Sequence, residues 1–142
     1  MIYLDTGCLV KLYYPEPDSQ KIAAVVAGKS IAFNPLHELE FAAALHLKIF
    51  HRSATSAQVG AVRALVEVDM KSGVLFPVVA NWERIFRAAT EIARQYCASF
   101  GCRSLDVLHC AAAAVLEADE FVTTDARQKQ LAAAMGLKLA TM

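Results

Sequence analysis

The chain has no excess of either charge: 14 Lys and Arg face 14 Asp and Glu across its 142 residues. That excludes a nucleic-acid reader working through a broad basic field, and leaves local basic groups or metal ions to offset any phosphate it meets. There is no uncharged apolar run of about 18 residues, the length a membrane-spanning helix needs. No basic leader precedes the first apolar residues, so a secretory signal is not expected and the cytoplasm is the expected compartment. Cysteine is sparse, and Cys8, Cys97, Cys102 and Cys110 include no CxxC pair. Zinc-ribbon and dithiol chemistry are thereby excluded, and reduced core thiols are expected. Low-complexity tracts, internal repeats and linkers are missing too, which leaves one domain over residues 1–142. What the chain does have is apolar side chains, 56% of the total, enough for a core without staples.

Met1-Ile2-Tyr3-Leu4 is a short apolar run that stops at Asp5. A strand inside a parallel sheet is covered on both faces and reads as unbroken apolar residues, and ligands gather at its carboxyl end. Asp5 falls at that end. Further extended runs fall at 30–33, 74–79, 121–124 and 137–140, and helical patterns at 8–14, 20–27, 35–52, 55–70, 82–99, 104–117 and 126–135. Asn34-Pro35, Asn81 and Ser104 are helix-start signals, and Gly28, Gly73 and Gly136 are stops. Strands alternating with one or two helices predict an α/β fold, a three-layer sandwich around a mostly parallel sheet of about five strands.

In the helix from Pro35, residues Leu36, Leu39, Ala43, Leu47 and Phe50 form one apolar stripe. At about 100° per residue Glu40 lies roughly 60° from its centre and Glu38 roughly 140° away. Glu40 is therefore expected to border the buried face and to need a partner, while Glu38 is solvated. Asp106 falls in the first turn of the Ala-rich helix, and Asp125 ends the strand run at 121–124. Right-handed crossovers put strand ends and following helix starts on one edge, so Asp5, Glu40, Asp106 and Asp125 can share a cleft. Packed carboxylates repel, and their natural counterion is a hard divalent cation, Mg²⁺ or Mn²⁺. Such an ion also serves phosphodiester hydrolysis.

Tyr3-Leu4-Asp5-Thr6, Leu9-Val10-Lys11-Leu12-Tyr13, Glu40-Phe41-Ala42-Ala43-Ala44-Leu45, Arg103-Ser104-Leu105-Asp106-Val107-Leu108-His109, Phe121-Val122-Thr123-Thr124-Asp125 and Ala132-Ala133-Ala134-Met135-Gly136-Leu137 occur in that order. Together they resemble a PIN-domain ribonuclease of the VapC toxin type. Each motif alone is weak; the ordered set, spanning nearly the whole chain, is specific. The resemblance implies an α/β/α sandwich, an acidic cluster binding Mg²⁺ or Mn²⁺, endonucleolytic cleavage of RNA to a 5′-phosphate and a 3′-hydroxyl, and a VapB-like antitoxin partner. Asp5, Glu40 and Asp106 match the family's principal acids, Asp125 its more variable fourth, and Thr6 its hydroxyl beside the first acid. Gly7 departs from the serine common there. The roles implied are metal contacts from Asp5 and Asp106, a base-like Glu40, and Asp125 holding water or a second ion.

Plainer readings stand beside these. Asp106 suits a helix start through the dipole alone, Asp125 suits an N-cap, and Glu40 suits a boundary position. His109, one turn after Asp106, fits a packed core histidine or a substrate contact. Thr6, Lys11 and Arg103 are candidates for contacts with RNA, whereas Arg52 reads as solvated. His37-Glu38 has Phe41 where a zinc protease needs histidine, which removes that chemistry. Tyr13, Tyr14 and the stripe Phe41, Leu45, Ile49 suit a homodimer seam, an antitoxin groove or ordinary core. A dehalogenase-like phosphatase needs an aspartate at position 7, and a receiver domain needs acids paired near the first strand; neither is present. A non-catalytic PIN-like RNA-binding or interaction module remains the alternative.

Overall fold

The computed structural model describes residues 1–142. Four strands, β1 (Ile2–Leu4), β2 (Ile31–Phe33), β3 (Leu75–Pro77) and β4 (Glu120–Val122), form one parallel sheet in the order β3-β2-β1-β4. Their registers pair Ile2 with Ile31, Leu4 with Val122 and Ile31 with Leu75. Side chains alternate across the pleat, so neighbouring residues of β1 enter different cores. Ile2 and Leu4 pack with Leu9, Ile22, Leu45 and Val59, beneath α1 (Thr6–Tyr13), α2 (Ser19–Val26), α3 (Pro35–Phe50) and α4 (Ser56–Ser72). Tyr3 packs with Ile85, Ala111, Phe121 and Leu131, beneath α5 (Trp82–Phe100), α6 (Ser104–Val115) and α7 (Ala126–Ala134). The three-layer reading holds. Cys110 to Ala113 are wholly buried, and these small side chains let α6 approach α5 closely.

The expected fifth strand is reduced to one bridge, Leu139 to Phe121, closed by the Phe121 N–H to Lys138 O and the Ala140 N–H to Phe121 O. The reason lies in its partner: β4 has only three residues, and the tail crosses one of them.

Two helix starts also move. α1 begins at Thr6, earlier than the periodicity suggested, because Asp5 caps it. α6 takes Arg103 at the cap position and Ser104 as its first helical residue. The larger correction concerns α3. Its buried residues are Leu36, His37, Phe41 and Leu45, while Leu39, Leu47 and Phe50 are 69%, 53% and 77% exposed. The helix is apolar on two faces, and period alone could not choose between them; Phe41 wins because its ring meets Tyr13 of α1 edge-on at 5.9 Å. Of the stripe offered as a possible seam, Phe41 and Leu45 are core and Ile49 is half-buried, whereas of the stripe read as core only Leu36 is buried and the rest faces solvent. No helix is long and apolar enough to cross a membrane. All four cysteines are free thiols, and burial pushes Cys110 up to about 12.

Candidate active site

The sheet's carboxyl edge is where β1 hands over to α1, β4 to α7 and the loop after α5 to α6. The acids belong to those junctions. Asp5, 7% exposed, accepts the Cys8 N–H on Oδ1 at 2.6 Å and the Thr123 hydroxyl on Oδ2. Thr123 in turn accepts the Asp125 N–H at 3.0 Å, which joins the two strand ends. Asp125 caps α7 by accepting the Gln128 N–H on Oδ1 at 2.8 Å. Asp106, in the first turn of α6, reaches back to the Arg103 N–H with Oδ2 at 3.0 Å. Gln128 completes the frame by donating to the Asp106 carbonyl at 3.2 Å. Three helix N-termini thus meet three carboxylates, and their partial positive charge offsets the mutual repulsion of the acids. The capping reading and the functional one are compatible, since Asp106 and Asp125 each keep one oxygen free of any bond within the protein.

Glu40 arrives from the second turn of α3. Its Oε2 accepts the Thr6 hydroxyl at 2.8 Å and lies 2.5 Å from Nε2 of His109. Burial would raise its carboxyl, but the hydrogen bond and charge of His109, with help from Thr6 and His37, outweigh that, and it titrates below the usual carboxylate range. His37, on the next turn, donates from Nε2 to the Leu4 carbonyl at 2.8 Å, and burial first, then His109, lowers it to about 4. It is neutral at pH 7, so the unpartnered atom at Nδ1 is a lone pair and not a charge.

All four acids line one cleft of about 410 Å³, together with Thr6, Gly7, Arg103 and His109. Leu105 is the one hydrophobic residue in its wall. A larger groove of about 620 Å³ opens between α2 and α4. Its one acid, Asp69, is already bonded to the Tyr13 hydroxyl at 2.6 Å, so size alone does not mark the chemistry. A side chain at position 7 would begin 3.5 Å from Asp5 Oδ1, an ordinary contact, so Gly7 leaves the floor open without being required there. Arg103 stands at the lip, 80% exposed, with Nε 3.5 Å from Asp106. Lys11 spans the mouth to Thr124 Oγ1 at 2.9 Å and lines an adjoining groove that shares Thr6, Gly7 and Glu40 with the cleft. His109 lines the cleft but is 3% exposed, with both ring nitrogens bonded within the protein. Arg52 sits in the α3–α4 turn with φ 58°, outside the cleft.

No supporting role in the site was expected for Thr123, Gln128, Tyr3 or Asn34, although Tyr3 and Thr123 stand within the quoted motifs. Only Asn34 carried a signal, as a helix cap; the other three act through bonds to residues far along the chain.

No three His, Cys, Asp or Glu side chains converge to coordination geometry. The cleft holds donors for a cation and no closed cage. The chemistry of that donor set still fits: it is all hard oxygen, and Mg²⁺ keeps several waters and takes one or two carboxylates plus substrate phosphate.

The family model for the PIN domain matches residues 2–134. No curated protein sequence matches the chain. Among solved structures it is similar to FitAcB from Neisseria gonorrhoeae, at 15% identity and a TM-score of 0.68 over 99% of this chain and 97% of that one. It is also similar to VapBC2 from Rickettsia felis bound to a DNA fragment from their promoter, at 18% identity and a TM-score of 0.61 over 98% and 97%.

Proposed function

The chain belongs to the PIN domain family, and from that membership and its acidic cleft we propose that residues 1–142 are a Mg²⁺- or Mn²⁺-dependent endoribonuclease, the toxin of a toxin–antitoxin pair. The observation that carries this reading is the meeting of Asp5, Glu40, Asp106 and Asp125 in one polar cleft at the carboxyl edge of a parallel sheet. Asp5 and Asp106 would hold the cation, and Asp106 keeps one oxygen free of bonds within the protein. Asp125 adds a further oxygen from the start of α7. Glu40 faces the attacking water as a base-like group, its depressed carboxyl being ionised at neutral pH. A bound Mg²⁺ or Mn²⁺ supplies charge neutralisation at the scissile phosphate and a more acidic water. Thr6, Lys11 and Arg103 meet the flanking RNA backbone from the floor, mouth and lip.

A VapB-like antitoxin is the proposed partner, in keeping with the similarity to FitAcB and VapBC2. The exposed Leu39, Leu47 and Phe50 face of α3 is offered for that partner or for a homodimer. Cleavage of RNA with Mg²⁺, abolished by EDTA and by Asp106→Asn in a folded protein, tests the enzyme. The second reading, a non-catalytic PIN-like module, draws on the absence of a closed coordination set. Calorimetric titration with Mn²⁺ separates the two: no binding at millimolar metal favours the module.

A further inference from the structure

Asn34 and Tyr3 lie behind the cleft and His109 stands in its wall; they are 3%, 0% and 3% exposed and take no direct part in the chemistry proposed above. Their donor and acceptor roles can be assigned in sequence. Asn34 caps α3, its Oδ1 accepting the Leu36 and His37 N–H groups at 3.0 and 3.1 Å. That fixes the amide, so Nδ2 is the atom 3.1 Å from the Tyr3 hydroxyl. An amide nitrogen only donates, so the Tyr3 oxygen accepts there and its own proton goes to its other neighbour, Nδ1 of His109 at 3.1 Å. A ring whose Nδ1 accepts carries its proton on Nε2. Nε2 lies 2.5 Å from Glu40 Oε2 and 3.1 Å from Thr6 Oγ1, and Thr6 itself donates to Oε2. Every group is satisfied, and both bonds to Glu40 fall on Oε2, so Oε1 has no partner within the protein.

We infer that His109 is a positioning residue for Glu40, locked in its Nε2–H tautomer by Asn34 and Tyr3, so that one carboxylate oxygen is tied back and the other is presented to the cleft. The relay leaves α3 at its cap and returns to it at Glu40, crossing β1 and α6 on the way. A free glutamate distributes its carboxylate over many rotamers; here the direction of one helix cap is passed through three side chains to a single oxygen. What Oε1 meets rests on the nuclease reading; the tautomer does not.

The experiment has two arms. In the first, ¹⁵N spectra of the imidazole rings at pH 8, with the His109 signals assigned by their loss in His109→Gln, show protonated Nε2 and bare Nδ1. Asn34→Asp keeps the cap oxygen but replaces the donor with an acceptor, so the Tyr3 proton turns to position 34, Nδ1 of His109 loses its donor and its ¹⁵N signal shifts, while Nε2 keeps its proton against the Glu40 carboxylate. Tyr3→Phe removes the same donor and moves the same Nδ1 signal. In the second, His109→Leu weakens Mn²⁺ binding and RNA cleavage about tenfold or more. His109→Gln, whose amide donates from nearly the same place, recovers most of both, although it lacks the ring just as the leucine variant does. A wild-type ring protonated on Nδ1, an Nδ1 signal indifferent to Asn34→Asp, or equal behaviour of the glutamine and leucine variants overturns the inference. A wild type that binds no Mn²⁺ and cuts no RNA overturns the nuclease reading instead, and with it the service assigned to Glu40, whatever the tautomer.

Discussion

Asp5 holds the fold and is proposed to hold the cation, and two substitutions separate those roles. In Asp5→Ala the α1 cap bond is lost, at a cost of about 0.5–2 kcal/mol. The Thr123 hydroxyl, 1% exposed, also loses its acceptor, and an orphaned buried polar group costs about 1–3 kcal/mol. The sum is roughly 1.5–5 kcal/mol. In Asp5→Asn the carbonyl oxygen still accepts the Cys8 N–H, and the amide can donate to Thr123 Oγ1, so the loss should stay near 1 kcal/mol, eased by removing one of four neighbouring negative charges. Cleavage should nevertheless fall by roughly 100-fold or more in both, as for loss of an electrostatic group acting on the transition state. Urea unfolding of the three proteins, paired with Mg²⁺-dependent cleavage of a labelled RNA, reads both quantities. An asparagine variant cutting at the wild-type rate refutes the metal assignment, and an alanine variant as stable as wild type refutes the capping account.

Three further outcomes follow from other parts of the molecule. His37 is lowered from its ordinary 6.5 to about 4, so its native state resists the proton that the unfolded chain accepts. Its stabilisation is complete above pH 6.5 and fades toward pH 4, by about 3 kcal/mol; urea midpoints that stay level across that window would contradict its buried, neutral state. Phe41→Ala should cost about 3–5 kcal/mol, whereas Leu39→Ser with Phe50→Ser should change monomer stability by no more than about 0.5 kcal/mol, and thermal melts showing the reverse order would restore the face expected from periodicity. In the native protein a thiol reagent should reach Cys97 well before the buried Cys8 and Cys110, whose thiols burial also raises; rapid labelling of all four without denaturant would count against the core as described.

The layers were legible because β1 is apolar through its length and runs straight into Asp5, because Phe121-Val122 leads through two threonines to Asp125, and because Asn34-Pro35 and the glycine stops punctuate the helices. The acidic residues were legible for the same reason: the end of a strand and the start of a helix are local signals. The orientation of α3 was not, because Leu39 and Phe41 are equally apolar and only contact with Tyr13 decides between them. Nor was the support of the cleft. Thr123 to Asp5 and Tyr3 to His109 are bonds between positions 118 and 106 residues apart, and no periodicity reports them.

The edges of the sheet bear on what the molecule does at high concentration. Val74 and Val78 turn their backbone groups inward, to Ile31 and Phe33, so along β3 it is Leu75 and Pro77 that face outward, and proline has no N–H to offer. On the opposite side the bridge at Leu139 covers β4. A short rim interrupted by a proline and a rim already taken give an approaching strand little to pair with. Self-association through sheet extension, the first step toward fibrils, is thereby discouraged, and contacts between molecules are left to the helical faces, where they remain reversible.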